Sequence, residues 1–315
     1  MVLIIAFSSS VPFRTSVNQN SLLMRLTPLL FASIGQTIVI VLGGIDLSVG
    51  SVISLATVLV ASYESIGADP VINVLLTVMA GIVVGAINGL GCNAGINPMI
   101  MTLSTMTAAK GLALLVLGSP GGKVSSQLLS IVTTNLGPVP VAFVAALVTL
   151  AIAWFTLSET KWGRNTYATG SDPAHAYSTG IRTGRIQLIA YTISGLTAAL
   201  AGIVMAGRIY SGDPLVGDPV SLDSITAVVL GGIALTGGRG SLIGVLAGVL
   251  LLGLLDNVMN MFGIFSYYQY IIKGLILIAA LYTYNMSSPQ KNGHMPRWLA
   301  GIKVVKPRGK ETSRG

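Results

Sequence analysis

Nine runs of about 20 residues, at roughly 22–43, 48–66, 70–92, 98–118, 139–157, 186–208, 222–238, 240–262 and 266–284, are almost wholly apolar. A helix rises about 1.5 Å per residue, so each run is long enough to approach the roughly 30 Å of a bilayer's hydrocarbon core. Only 9% of the 315 residues are charged and 52% are hydrophobic. A soluble domain carries roughly a quarter charged residues, so this chain cannot cover a water-facing surface. It reads as an all-α integral membrane protein, and its 38 glycines suit helices that pack closely in lipid. The opening MVLIIAF, too short to span, reads as the remnant of a tenth, truncated first helix.

Charge sets the expected orientation. The segment from Leu157 to Gln187 carries Lys161, Arg164, Arg182 and Arg185 against Glu159 and Asp172. Lys291, Arg297, Lys303, Lys306, Arg308, Lys310 and Arg314 crowd the C-terminal tail against Glu311 alone. Beside membrane spans, such basic segments belong in the cytosol; they do not point to nucleic acid. Four spans separate loop from tail, which returns the chain to the same side. The stretch Ser211–Asp223, with Asp213, Asp218 and Asp223 and no basic residue, then falls outside, and Arg239 falls inside. The organisation expected is a transmembrane domain over 1–284, with a cytosolic loop at 158–185, and a basic, disordered tail over 285–315. A single cysteine excludes an internal disulfide, and no metal-ligand spacing or cofactor motif appears.

Within this apolar text one turn is written twice. VLGGIDLSVG (41–50) and VLGGIALTGG (229–238) agree at eight of ten positions, counting Ser48 with Thr236. Gly43–Gly44 and Gly231–Gly232 can break a helix, with Asp46, Ser48 or Thr236 capping the next one. Broken membrane helices often line a solute path; a capped hairpin at the membrane face would carry the same residues.

GGIDLSVGS, preceded by SIGQTIVIVL, resembles the signature of permease subunits of bacterial ribose/galactose-type sugar ABC importers. The stretches 160–183, 194–208, 221–248 and 251–278 match that pattern in order, so the resemblance covers about residues 13–284. Permeases of the related amino-acid importers differ at the GGIDLSVG position. The resemblance implies a ten-helix type II importer fold in the bacterial inner membrane and a second permease subunit. It also implies cytosolic ABC ATPase subunits and a periplasmic sugar-binding protein. Gly43, Gly44, Asp46, Ser48, Gly231, Gly232 and Thr236 would then border the translocation path. The chain departs from the family in lacking most of the first helix and in its longer tail.

In the cytosolic loop, Gly163 and Arg164 lead to Gly170, after which Ser171 or Asp172 can cap a short helix with Pro173 at its first position. The helix is expected over Ala174–Ser178, through His175, and ended by Gly180. In importer permeases the corresponding helix rides on the ATPase. His175 invites a pH-sensor reading, but an exposed histidine is ordinary polar surface.

Asp46, Lys110, Asp256 and Lys273 are ionisable residues in or beside the spans, where a charge needs a partner or water. Asp256 and Lys273 flank the turn near Gly263–Ser266 at equal depth and are expected to face each other, with Asn257 and Asn260 nearby. A structural ion pair, a wall of the sugar path and a proton relay all fit. The sequence thus supports a non-catalytic sugar-importer permease, with a stand-alone ion-coupled transporter using Asp256, Lys273 and Lys110 as the alternative. GSPGGKVSS (118–126) lacks phosphate-loop spacing and reads as an extracytoplasmic loop.

Overall fold

A computed structural model describes residues 15–65, 67 and 69–287; the opening MVLIIAF and the tail beyond Ser287 lie outside the described residues. Twelve helices are present among the described residues: α1 (Ser16–Val41), α2 (Val49–Ser65), α3 (Pro70–Asn93), α4 (Pro98–Val116), α5 (Ser126–Thr133), α6 (Val141–Glu159), α7 (Lys161–Ser171), α8 (Pro173–Ser178), α9 (Thr183–Ile209), α10 (Asp218–Leu230), α11 (Leu242–Met261) and α12 (Ser266–Ser287). A two-residue hairpin, β1 (Asn135–Leu136) with β2 (Val139–Pro140), joins α5 to α6. Six helices (α1, α3, α4, α6, α9 and α11) are long and apolar enough to cross a membrane. A full set of ten crossing helices is therefore not what the described residues display.

Helix starts share a local chemistry. Asp69, Asn97 and Asp172 each accept backbone N–H bonds at the starts of α3, α4 and α8, and a proline stands next to each at the first helical position.

The centre of the bundle is built from α1 and α9. In α1, Leu30, Ile34, Ile38 and Val39 are all essentially inaccessible. Gly81, Gly85 and Gly89, spaced one turn apart on α3, lie directly against Gly195, Tyr191 and Leu188 of α9. A side chain at any of them would strike α9 itself, so the glycines allow the two backbones to approach. The outer faces carry exposed apolar side chains such as Leu75, Met79, Val83 and Ile87 of α3 and Ile152 and Phe155 of α6. Lipid suits that surface.

The expected span at 222–238 is corrected. Its helix, α10, has 13 residues and stops at Leu230, where Gly231 takes the C-cap position. At about 20 Å it is too short to cross alone. Residues 231–241 form a non-helical turn instead, because Gly232, Gly237, Gly238 and Gly240 all have positive φ. Nor does Thr236 cap the next helix: α11 begins after Ser241 with no side-chain cap.

Candidate functional site: two broken crossings and the loop beneath them

The chain between α9 and α10 turns back into the bundle without forming a helix. Gly212 pairs with Gly121, the backbone N–H of Asp213 donates to Thr57 Oγ1 (3.2 Å), and that of Gly217 donates to Ser54 Oγ (2.9 Å). Gly50 N–H in turn donates to Ser221 Oγ at 2.9 Å. Residues 212–221 thus descend beside α2 from Thr57 towards its start, and α10 begins inside the bundle rather than at its end. The mirror arrangement precedes α2. Residues 43–48 climb non-helically until Asp46 meets Ser194, about 17 Å along α9 from that helix's first residue. The helical halves α2 and α10 therefore begin side by side, N-terminus to N-terminus. An acidic residue sits at each start, Asp46 before α2 and Asp218 in the first turn of α10. Negative charge there complements the partial positive charge of unpaired N–H groups.

Asp46 is the anchor of the first break. It is 1% exposed and accepts from Ser48 N–H (3.0 Å), Ser48 Oγ–H (2.6 Å) and Ser194 Oγ–H (2.7 Å). Asn88 Nδ2 donates to Ser48 Oγ at 2.9 Å, and Thr105 Oγ1 donates to Asn88 Oδ1 at 2.6 Å. Thr102 Oγ1 reaches the Ile45 carbonyl at 3.2 Å. This chain of bonds ties the break to α3, α4 and α9, and supplies partners that lipid could not.

The two copies of the glycine turn touch. Gly238 N–H donates to the Val41 carbonyl at 2.8 Å, and Gly237 lies against Gly43, whose φ is +81°. Gly170, near the end of α7, is wedged between them. A Cβ there would collide with the Val41 carbonyl oxygen and the Gly238 nitrogen. Tyr167 Oη donates to the Gly240 carbonyl (2.9 Å), and Ser171 packs on Gly238. The repeat thus forms one junction at one end of the bundle, seated on α7. Gly43, Gly232 and Thr236 are exposed there; Gly44 is buried against Tyr191 and Gly231 packs on Val245.

From that junction the chain runs directly into α8. Asp172 Oδ1 accepts from Ala174 N–H and His175 N–H, both at 3.0 Å, and Gly180 turns the chain at φ +86°. Only Ala176 of α8 is buried; Pro173, Ala174, His175 and the 73%-exposed Tyr177 face outward. Gly163 is buried against the end of α6, and the Arg164 guanidinium donates to the Glu159 carbonyl. The helix that carries Gly170, α7, is not expected from the sequence, because a polar helix gives no apolar run.

Charged residues meet at two further places. Lys273 Nζ lies 2.9 Å from Asp256 Oδ2, so these two do face each other, and also 2.8 Å from Asp223 Oδ2. Lys110 Nζ lies 2.5 Å from Asp218 Oδ2. Asp218 and Asp223, read from the sequence as part of an external acidic loop, are instead helical partners of the two lysines. Asn257 pairs with Asn18 across to α1 (3.1 Å), while Asn260 donates to the Asp256 carbonyl and accepts from Gln269. Arg25, Asn88, Ser194 and Arg208 escaped the sequence reading. Their one signal was a polar residue inside an apolar run, which earns scrutiny in any membrane chain.

A family model described as the permease component of branched-chain amino acid transport systems matches residues 19–281. The chain belongs to this permease family. Among its relatives, the ribose import permease protein of Bacillus subtilis is 37% identical over 258 residues, 78% of each chain. That of Escherichia coli K12 is 36% identical over 290 residues, covering 89% of this chain and 90% of the relative. The D-allose transport system permease protein of the same strain is 30% identical over 287 residues, covering 89% and 87%. No solved structure matches the permease.

Proposed function

We propose that this permease is the membrane-spanning subunit of an ABC importer that passes a sugar of the pentose or hexose class. The relatives support it: ribose and D-allose permeases align over most of their length, through both glycine turns. As in those relatives, the subunit is not itself an enzyme; a separate ATPase hydrolyses ATP and a periplasmic binding protein delivers the sugar. Nothing favours the ion-coupled alternative, since each membrane lysine is already paired with aspartate.

The observation that carries the mechanism is Gly170, lodged between the two turns at the root of α8. In this reading α8 is the cytosolic knob on which the ATPase pulls. The Gly170 wedge passes that motion to both broken crossings at once, and Gly43, Gly44, Gly231, Gly232 and Thr236 act as hinges at the inner end of the path. Asp46 and Ser48 hold the first break together while it moves. This orientation places the C-terminus in the cytosol. Lys110 and Asp218 remain 37% and 43% exposed about 9 Å from the nearer end of α4. A charged pair at that depth does not face lipid, so this side is assigned to the path and to a second permease subunit, identical or different.

The test is co-purification of the tagged full-length chain from gently solubilised host membranes. An ATPase should accompany it, and should be lost when Gly170–Gly180 is replaced by a Gly/Ser linker. A chain that leaves the membrane without an ATPase, under conditions that keep other importers intact, refutes the assignment.

A further inference from the structure

Between α1, α9, α10, α11 and α12 lies a second polar feature, at the end of the bundle opposite the glycine junction. It is a cavity of about 240 Å³ lined by Arg25, Arg208, Asp223, Asp256, Asn260 and Gln269, with apolar walls that include Leu29 and Val220. Its hydrogen-bonding capacity is left open in both senses. The guanidinium groups of Arg25 and Arg208 make no ion pair and no hydrogen bond among the described residues. Asp256 has one oxygen on Lys273, but the other, Oδ1, is buried with no partner among the described residues. Deeper on α1 and outside the cavity lining, Ser33 and Gln36 are completely buried, and their side-chain polar atoms also lack partners among the described residues. Buried polar atoms are nearly always satisfied, so something polar completes this region.

The chemistry of the open groups narrows what that is. An anion would meet Asp223 and Asp256; a cation would meet two arginines and Lys273. A neutral ligand with hydroxyl groups can accept from the guanidiniums and donate to the Asp223 and Gln269 side-chain oxygens, while its carbon skeleton lies on the apolar walls. We propose that this cavity is a binding site for one neutral polyhydroxyl solute, a receiving subsite within the permease itself. The proposal rests on the sugar-importer reading above, which also places the cavity at the outer end.

The test is uptake of labelled D-ribose, D-allose and D-galactose by the complete importer in proteoliposomes, with Arg208→Gln and Arg25→Gln compared with wild type. Neither arginine has a hydrogen-bond or ion-pair partner among the described residues, so both variants should keep the wild-type thermal midpoint. Uptake of the transported sugar should fall tenfold or more in Arg208→Gln, with a smaller loss in the more exposed Arg25→Gln. Arg208→Lys, which keeps a donor in place, should recover part of the loss. A wild-type importer that moves a sugar, and variants that move it equally well, overturn the cavity assignment and leave the importer reading standing. A wild-type importer that moves none of the three overturns both.

Discussion

Lys273 is the residue whose removal should reveal most about how α10, α11 and α12 are held. Its ammonium lies 2.8 Å from Asp223 and 2.9 Å from Asp256, and the three side chains are only 11%, 18% and 27% exposed. Lys273→Met leaves two carboxylates facing each other without their cation. Breaking a buried pair in this way costs about 3–5 kcal/mol; the partial exposure of the Asp256 side chain puts the expected value near the lower limit. Asp256→Asn leaves the Lys273–Asp223 pair intact and should cost about 1.5–3 kcal/mol, the scale of one hydrogen bond to a charged group. The decisive variant is the triple Lys273→Met, Asp223→Asn, Asp256→Asn. It removes all three charges of the cluster together, so it should recover to within about 2 kcal/mol of wild type. Cys92, the single cysteine and 6% exposed, provides the assay. A thiol-reactive fluorogenic dye tracks its exposure as the detergent-solubilised protein is heated. A triple variant no more stable than Lys273→Met, or a Lys273→Met no worse than Asp256→Asn, would refute the charge argument.

Gly170→Ala should drive a methyl group into the Val41 carbonyl and break the Gly238–Val41 bond, at about 1 kcal/mol for the bond and about 1–3 kcal/mol for overpacking; the same dye assay should show a lowered midpoint, together with slowed uptake. Asp46→Ala strands three donors in the interior and should lower the amount of folded protein recovered from membranes, whereas Asp46→Asn, which keeps an acceptor, should recover part of it. Asp172→Ala removes only the cap of α8, worth about 1 kcal/mol locally. The global midpoint should stay unchanged while ATPase co-purification weakens; an equal loss of both would argue that α8 is part of the core rather than a projecting knob.

The sequence by itself determines whatever depends on local chemistry or on the solvent. Apolar run length fixes a helical membrane protein, because lipid offers no partner to unpaired backbone groups. Asp172, Pro173 and Gly180 write the start and stop of α8 within a few residues of each other, and that helix forms where they place it. The equal distances of Asp256 and Lys273 from one turn suffice to bring them together, since two antiparallel helices share a ruler of about 1.5 Å per residue. The tertiary structure alone decides the rest. Asp223 joins that pair from α10, across 50 residues of chain from Lys273, and no spacing announces it. The run at 222–238 reads as a span because hydropathy registers what a segment is made of, not where its helix stops. Gly231 and the positive-φ glycines after it end α10 at Leu230. The repeated turn is visible in the sequence as a likeness between two segments. That its copies touch, with Gly170 between them, is a result of packing: backbone approaches that close exist only once three distant segments have been brought together, and glycine is the residue that leaves room for them.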